Sequence, residues 1–180
     1  MTFPQQAIDK SFKQFLMEKG SVFVFNNVLR DVPDGDVREL ALDNTAPDDG
    51  NVEEPRYLIV EKFEATVEGK SIIENIDASI DSEGTVLSVD NLNTGSPNGN
   101  DISRVLSEPD YSVNDSFGEQ IIGVRSGRNS AGGDEQGHAA IIAPGDAIVG
   151  KLTNESGNSE DVSIRVVWYE VPERLMQPQP

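Results

Sequence analysis

His138 is the only histidine in the chain, and that alone narrows the catalytic chemistry available to it. A serine hydrolase would need this imidazole as its base and a nucleophile on a G-x-S-x-G turn. The segment Gly127-Arg-Asn-Ser130-Ala-Gly132 has the wrong spacing. A two-histidine zinc or iron centre cannot be assembled within one chain that carries one imidazole. Cysteine is absent, which excludes disulfides and thiolate metal sites. The 32 Asp plus Glu residues would supply paired carboxylates almost anywhere, so such a pair does not identify a glycosidase. One Trp and three Tyr offer no excess of aromatic surface for a sugar platform. Oxygen ligands are plentiful in Gly-containing turns, as Asp31/Asp34/Asp36, Asp48/Asp49/Asn51 and Asn98/Asn100/Asp101. None has the EF-hand spacing, so the expectation is loosely held Na, K, Mg or Ca ions and no cofactor.

Ala143-Pro144-Gly145-Asp146 is similar to the turn of the second cupin motif, and Asn154 follows at a comparable distance. The metal-binding histidines of that motif are missing, so the turn speaks of backbone geometry. Proline fixes φ, and glycine permits the left-handed residue between two strands. Asn114-Asp-Ser116 and Asn154-Glu-Ser156 are glycosylation sequons of the kind chance produces. The residues point away from an enzyme.

The elements that would position these groups are mostly strands. Val and Ile total 31 against 10 Leu, and β-branched side chains favour a pleated surface over a helix. Val, Ile, Leu and Phe together make 48 of 180 residues, enough for a core despite the acidity. Alternating segments appear at Ser21–Leu29, Val37–Leu42, Tyr57–Val67, Ser71–Ile80, Thr85–Leu92, Glu119–Arg125, His138–Ala143, Ala147–Leu152 and Val162–Val171. In Tyr57–Val67, residues 57, 59, 63, 65 and 67 share one face, with Glu61 the exception. Asp81-Ser-Glu-Gly84 has the composition of a hairpin turn into Thr85. Ile102–Leu106 fits either a short helix or a strand. The expected fold is all-β: a single jelly-roll barrel or sandwich of about eight to nine strands with a short N-terminal helix.

That helix is marked by Ile8, Phe12, Phe15 and Leu16 at helical spacing, with Gly20 as its C-cap. Its stripe can pack on its own barrel, on a neighbouring subunit, or on an anionic membrane flanked by Lys10, Lys13 and Lys19. The expected organisation is a helical arm over 1–20, a jelly-roll domain over 21–171 and a C-terminal arm over 172–180. Ile8, Phe12, Phe15, Leu16, Leu175 and Met176 are the expected assembly contacts. No basic region followed by a long apolar run opens the chain, and no stretch approaches bilayer-spanning length.

The formal charge is −18, from 32 acids against 14 cations. Such a coat suits strong salt, where at ~1 M the Debye length falls to roughly 3 Å and carboxylate repulsion is screened. It also argues against direct nucleic-acid binding, which needs a basic stripe.

A small, acidic, cysteine-free jelly roll that closes with AAIIAPGDAIVGKLTNESGN and VSIRVVWYEV resembles a known group. It is similar to the smaller major capsid protein of tailless icosahedral haloarchaeal viruses with an internal membrane (sphaerolipovirus-like). The resemblance implies a single vertical barrel that assembles with itself and a larger capsid protein of the same fold into pseudo-hexameric capsomers. It further implies a place in the virion, near spike proteins and the internal membrane, after assembly in the cytoplasm of a halophilic archaeal host. No catalytic residue is carried over. The competing expectation is a halophilic surface or spike module that grips a receptor or glycan through Asn93–Asp101 and Gly127–Gly137.

Overall fold

The computed structural model describes residues 10–45, 55–93, 95, 103–122, 129–130 and 140–176. It is an all-β sandwich of two antiparallel sheets with two short helices. Helix α1 (Lys10–Glu18) precedes β1 (Val22–Val32), β2 (Val37–Asp43), β3 (Arg56–Val67) and β4 (Ser71–Ser82). Three short strands follow: β5 (Thr85–Leu87), β6 (Asp90–Asn91) and β7 (Arg104–Ser107). The chain continues through β8 (Asp110–Ile122), β9 (Asn129–Ser130), β10 (Ala140–Ile142), β11 (Ala147–Asn154), β12 (Glu160–Pro172) and α2 (Glu173–Met176).

The first sheet runs β10-β3-β12-β1-β6, with β9 also on β3; the second runs β5-β7-β2-β11-β4-β8. The pairs β1–β12, β2–β11, β3–β9/β10 and β4–β8 join the first long strand to the last, the second to the next to last, and so inward.

Alternation along the strands builds three apolar clusters. Phe23, Phe25, Leu58, Val162, Ile164, Val166 and Trp168 of the first sheet meet Leu40, Leu42, Ile73, Val105 and Leu152 of the second in the main core. The face of the first sheet turned away from that core carries Val22, Val24, Ile59, Val167, Tyr169 and Val171. The corresponding face of the second sheet carries Ala41, Ile76, Ala78, Leu106 and Val149, with Ile80 and Tyr111 packed on them.

Glu61, the exception in the β3 pattern, marks a β-bulge: Trp168 pairs with Val60 and Val167 with Lys62, leaving Glu61 unopposed. Leu58 and Val60 point into the main core before the bulge; Phe63, Ala65 and Val67 do so after it. The alternation therefore changes phase at Glu61, and Ile59 lies on the opposite face from Phe63.

Two local expectations change. Asp81–Gly84 does not close a hairpin, because β5 pairs with β7 and not with β4. Gly84, at φ 59°, passes beneath the Ser107 and Glu108 carbonyl oxygens, and a Cβ there would lie 2.5 Å from each. Gly84→Ala is expected to lose about 1–3 kcal/mol, read as a lower denaturant midpoint in molar KCl. The segment Ile102–Leu106 is a strand from Arg104 on, as β7; Ile102 lies outside the described residues.

Pro144-Gly145 does form the expected turn: Asp146 N–H donates to the Ala143 carbonyl at 3.1 Å, and Gly145 takes φ 92°. Asn154, recognised as part of a sequon, is fully buried. Its amide donates to the Val32 and Asn158 carbonyls at 2.8 Å each, tying β1 to the β11–β12 loop.

Candidate assembly surface

Helix α1 ends in a Schellman motif: Gly20 N–H donates to the Met17 carbonyl at 3.0 Å and Ser21 N–H to the Leu16 carbonyl at 2.9 Å. Gly20 takes φ 70°, the left-handed conformation this cap requires. Asn91 donates to the Gly20 carbonyl at 2.7 Å and Asn93 to that of Glu18 at 3.2 Å. The start of the Asn-rich segment thus serves to dock the helix.

Leu16 is 2 % exposed, and Phe12 packs beside it on the outer cluster of the first sheet. Met176 of α2 reaches the same cluster from the other end of the chain. The described part of the N-terminal segment is therefore a cover for its own sheet. The C-terminal segment likewise does not leave the core at Pro172, which still pairs with Arg56. Glu173 N–H then donates to the Pro55 carbonyl at 3.0 Å, starting α2. Ile8 and residues 177–180 lie outside the described residues.

These two helices leave Phe15, Met17 and Leu175 each 44 % exposed. The Phe15 ring stacks on Phe12 at 6.4 Å, and the Lys19 ammonium lies 5.7 Å from its centroid. The expected contact residues thus divide. Phe12, Leu16 and Met176 hold the helices down, while Phe15 and Leu175 face outward. Met17 lies off the apolar stripe and was not among the expected contacts; its exposure on a short helix is what singles it out.

A second exposed surface lies along β8. Among the described residues this strand pairs with β4 alone, and the described side chains from Ser112 to Glu119 are exposed. Val113 is 61 % and Phe117 63 % exposed. Register shifts at three places interrupt the β4–β8 ladder, and Gly118 takes φ 94°. Bulges of this kind blunt an edge against uncontrolled strand addition. Among the described residues the other sheet edges show strands of two or three residues. Along β4 and β8 stand Glu74, Asp77, Asp81, Asp110, Asp115 and Glu119, with no Lys or Arg in either strand. Ser112 donates to Asp81 at 2.8 Å and Ser116 to Glu74 at 3.0 Å, holding carboxylates along this flank.

Tyr111, at the start of β8, packs on the outer cluster of the second sheet and donates to Glu39 at 2.8 Å. Burial, and then that hydrogen bond, push its phenol from the usual 10.0 up to about 12. Between those values the unfolded chain releases a proton that the folded chain keeps. Stability intact below pH 10.0 is therefore expected to fall as pH rises toward about 12, and Tyr111→Phe should flatten part of that decline in alkaline melts. Tyr169, which donates to Glu61, is shifted in the same direction by burial and that carboxylate.

The oxygen-rich loops take up structural roles where they are described. Asp34 accepts from the Gly157 N–H at 2.8 Å, and Asp36 pairs with Arg38 at 2.7 Å. Among the described residues no group of three or more His, Cys, Asp or Glu side chains converges as a metal site. Asp48, Asp49, Asn51, Asn98, Asn100, Asp101 and His138 lie outside the described residues, as does most of Gly127–Gly137. No helix among the described residues is long and apolar enough to cross a membrane.

One buried acid escaped the sequence reading. Glu170 is 1 % exposed at the end of the inward row Val162, Ile164, Val166, Trp168. Ser103 Oγ donates to it at 2.5 Å and Arg56 Nη1 at 3.1 Å. Burial pushes its carboxyl up, against the opposing pull of Ser103 and Arg56. Both oxygens are occupied within the protein, so the group works as a strut between β12, β3 and the residue before β7. An acid on the inward parity of an apolar strand was the signal that could have found it.

No family model, curated protein or solved structure matches the chain.

Proposed function

We propose that the chain is a structural subunit of a virion: a major capsid protein that assembles into pseudo-hexameric capsomers of an icosahedral shell around an internal membrane. The observation that carries this reading is the nested pairing of first strand with last, second with next to last, and so inward. That order is the one a jelly roll adopts when its ribbon rolls into two facing sheets. A fold serves many functions, so the surfaces must add their own support. They do so through a long edge strand with exposed side chains among the described residues and outward apolar side chains on a helix, the kind of features by which shell subunits meet.

The partners on this reading are further copies of the chain and a larger capsid protein of the same fold. Spike proteins and the internal membrane are neighbours in the particle, and nucleic acid is not contacted directly. The −18 charge belongs to a host with concentrated salt in its cytoplasm, where a carboxylate coat stays hydrated and screened. Electron microscopy of the chain reconstituted in molar KCl, with and without such a larger partner, tests the proposal. Hexagonally arranged capsomers or closed shells are expected. A folded protein that forms no ordered array under either condition refutes it.

A further inference from the structure

We propose that copies of this chain join head to tail, with the α1 rim of one seated on the β4–β8 flank of the next. The inference rests on the shell-subunit reading and names the surfaces through which copies would meet.

Charge supplies the first argument. Residues 10–19 hold three of the chain's six lysines and a single carboxylate, Glu18, within a protein of net charge −18. The β4 and β8 strands present six carboxylates and no cation. The contact sets the most lysine-rich segment of the chain against a predominantly acidic one, in which Lys151 of β11 lies 4.0 Å from Glu74. Two copies meeting flank to flank would instead oppose carboxylate to carboxylate, and like charges brought together disfavour such a contact.

Apolar matching supplies the second. Phe15, Met17 and Leu175 stand outward on the helices, and Val113 and Phe117 stand outward on β8. Phe15 and Met17 flank the buried Leu16 on either side of α1, and Val113 and Phe117 stand along β8, so each surface offers large apolar side chains to a partner. The two surfaces also lie apart. The helices cover the outer face of the first sheet, and β8 is the edge strand of the second among the described residues. One copy can therefore use both at once, and a heterologous contact of that kind propagates into a ring or a row. The bulges of β8 favour side-chain docking over simple strand addition. Molar salt screens the charges, which then select the orientation while the apolar residues hold the contact.

The absence of cysteine makes a direct test possible. Met17→Cys and Phe117→Cys copies, mixed and oxidised in molar KCl, are expected to give one mixed disulfide dimer. Neither variant should cross-link to itself to the same extent. In sedimentation velocity, Phe15→Asp and Phe117→Asp should each weaken self-association about tenfold or more, with the far-UV spectrum and Tm unchanged. Mixed in equal amounts, the two variants should recover a heterodimer and stop there, because each retains one sound face.

Unimpaired self-association of either Asp variant overturns the proposal, as does failure of the mixture to recover. A wild-type chain that is monomeric at every salt concentration also overturns it. So does a Phe15→Asp variant whose only defect is lost binding to anionic lipid vesicles. Shells that form without the Met17–Phe117 cross-link leave the shell reading standing and remove this contact. Cross-linked rings or rows that never close into shells have the opposite meaning.

Discussion

Trp168→Ala is expected to lower stability by about 3–5 kcal/mol, enough to leave a marginal domain largely unfolded. The side chain is fully buried on the central strand of the first sheet, directly opposite Phe23 in the ladder. The two rings stack with centroids 5.8 Å apart. The indole N–H also donates to Ser103 Oγ at 2.9 Å, so truncation both opens a cavity and removes a buried donor. Trp168→Phe separates the two effects. It retains most of the apolar volume and is expected to cost about 1–3 kcal/mol through the lost bond and residual space. Urea titrations of both variants in molar KCl provide the measurement.

Glu170→Ala is expected to cost a comparable amount, about 3–5 kcal/mol, by a different route. It removes the acceptor for Ser103 and Arg56 in a place where water has little access. Arg56 already has a buried Nε without a hydrogen-bond partner among the described residues, so loss of the carboxylate strips it further. Glu170→Gln keeps an oxygen for Ser103 and should lose less than the alanine variant. Equal losses in the Gln and Ala variants would show that charge pairing carries the whole effect. No loss in either would remove Glu170 as a strut.

Much of the architecture was legible in the sequence because strand periodicity is a local property. The central strands, the C-cap at Gly20 and the Pro144-Gly145 turn were visible from residue types alone. Glu61 was visible too, as an interruption whose meaning needed the partner strand. Strand β8 was seen only from Glu119 onward. Its earlier part, Asp110–Gly118, shows mostly polar residues, and exposure on both faces erases the alternation that burial would impose. The pairing of β5 was misread for a related reason. Asp81–Gly84 has the composition of a hairpin, yet its glycine is required by a close approach to Ser107 and Glu108, which are distant in sequence.

The candidate assembly surface divided in the same way. Helical spacing identified Phe12, Phe15 and Leu16, but spacing cannot say which of them faces the molecule's own sheet. Leu16 is buried and Phe15 stands out because the Schellman turn fixes how α1 meets β1. Val113 and Phe117 carry no periodic signal, and the position of β8 at the edge of the described sheet brings them forward. The division matters for truncation. Removing residues 1–20 would uncover Val22, Val24, Ile59, Val167 and Tyr169 as well as deleting a contact. A point change at Phe15 is therefore a cleaner probe of assembly than deletion of the arm.

On the shell-subunit reading, this acid-coated β-sandwich must meet further copies of itself or a larger partner. Sedimentation velocity over a concentration series in molar KCl, alone and with a larger partner of the same fold, tests it most directly. The expected result is a β-rich protein whose mass rises in steps above the 19.5 kDa of one copy. A well-folded 19.5 kDa monomer at every concentration, indifferent to the partner, would contradict it.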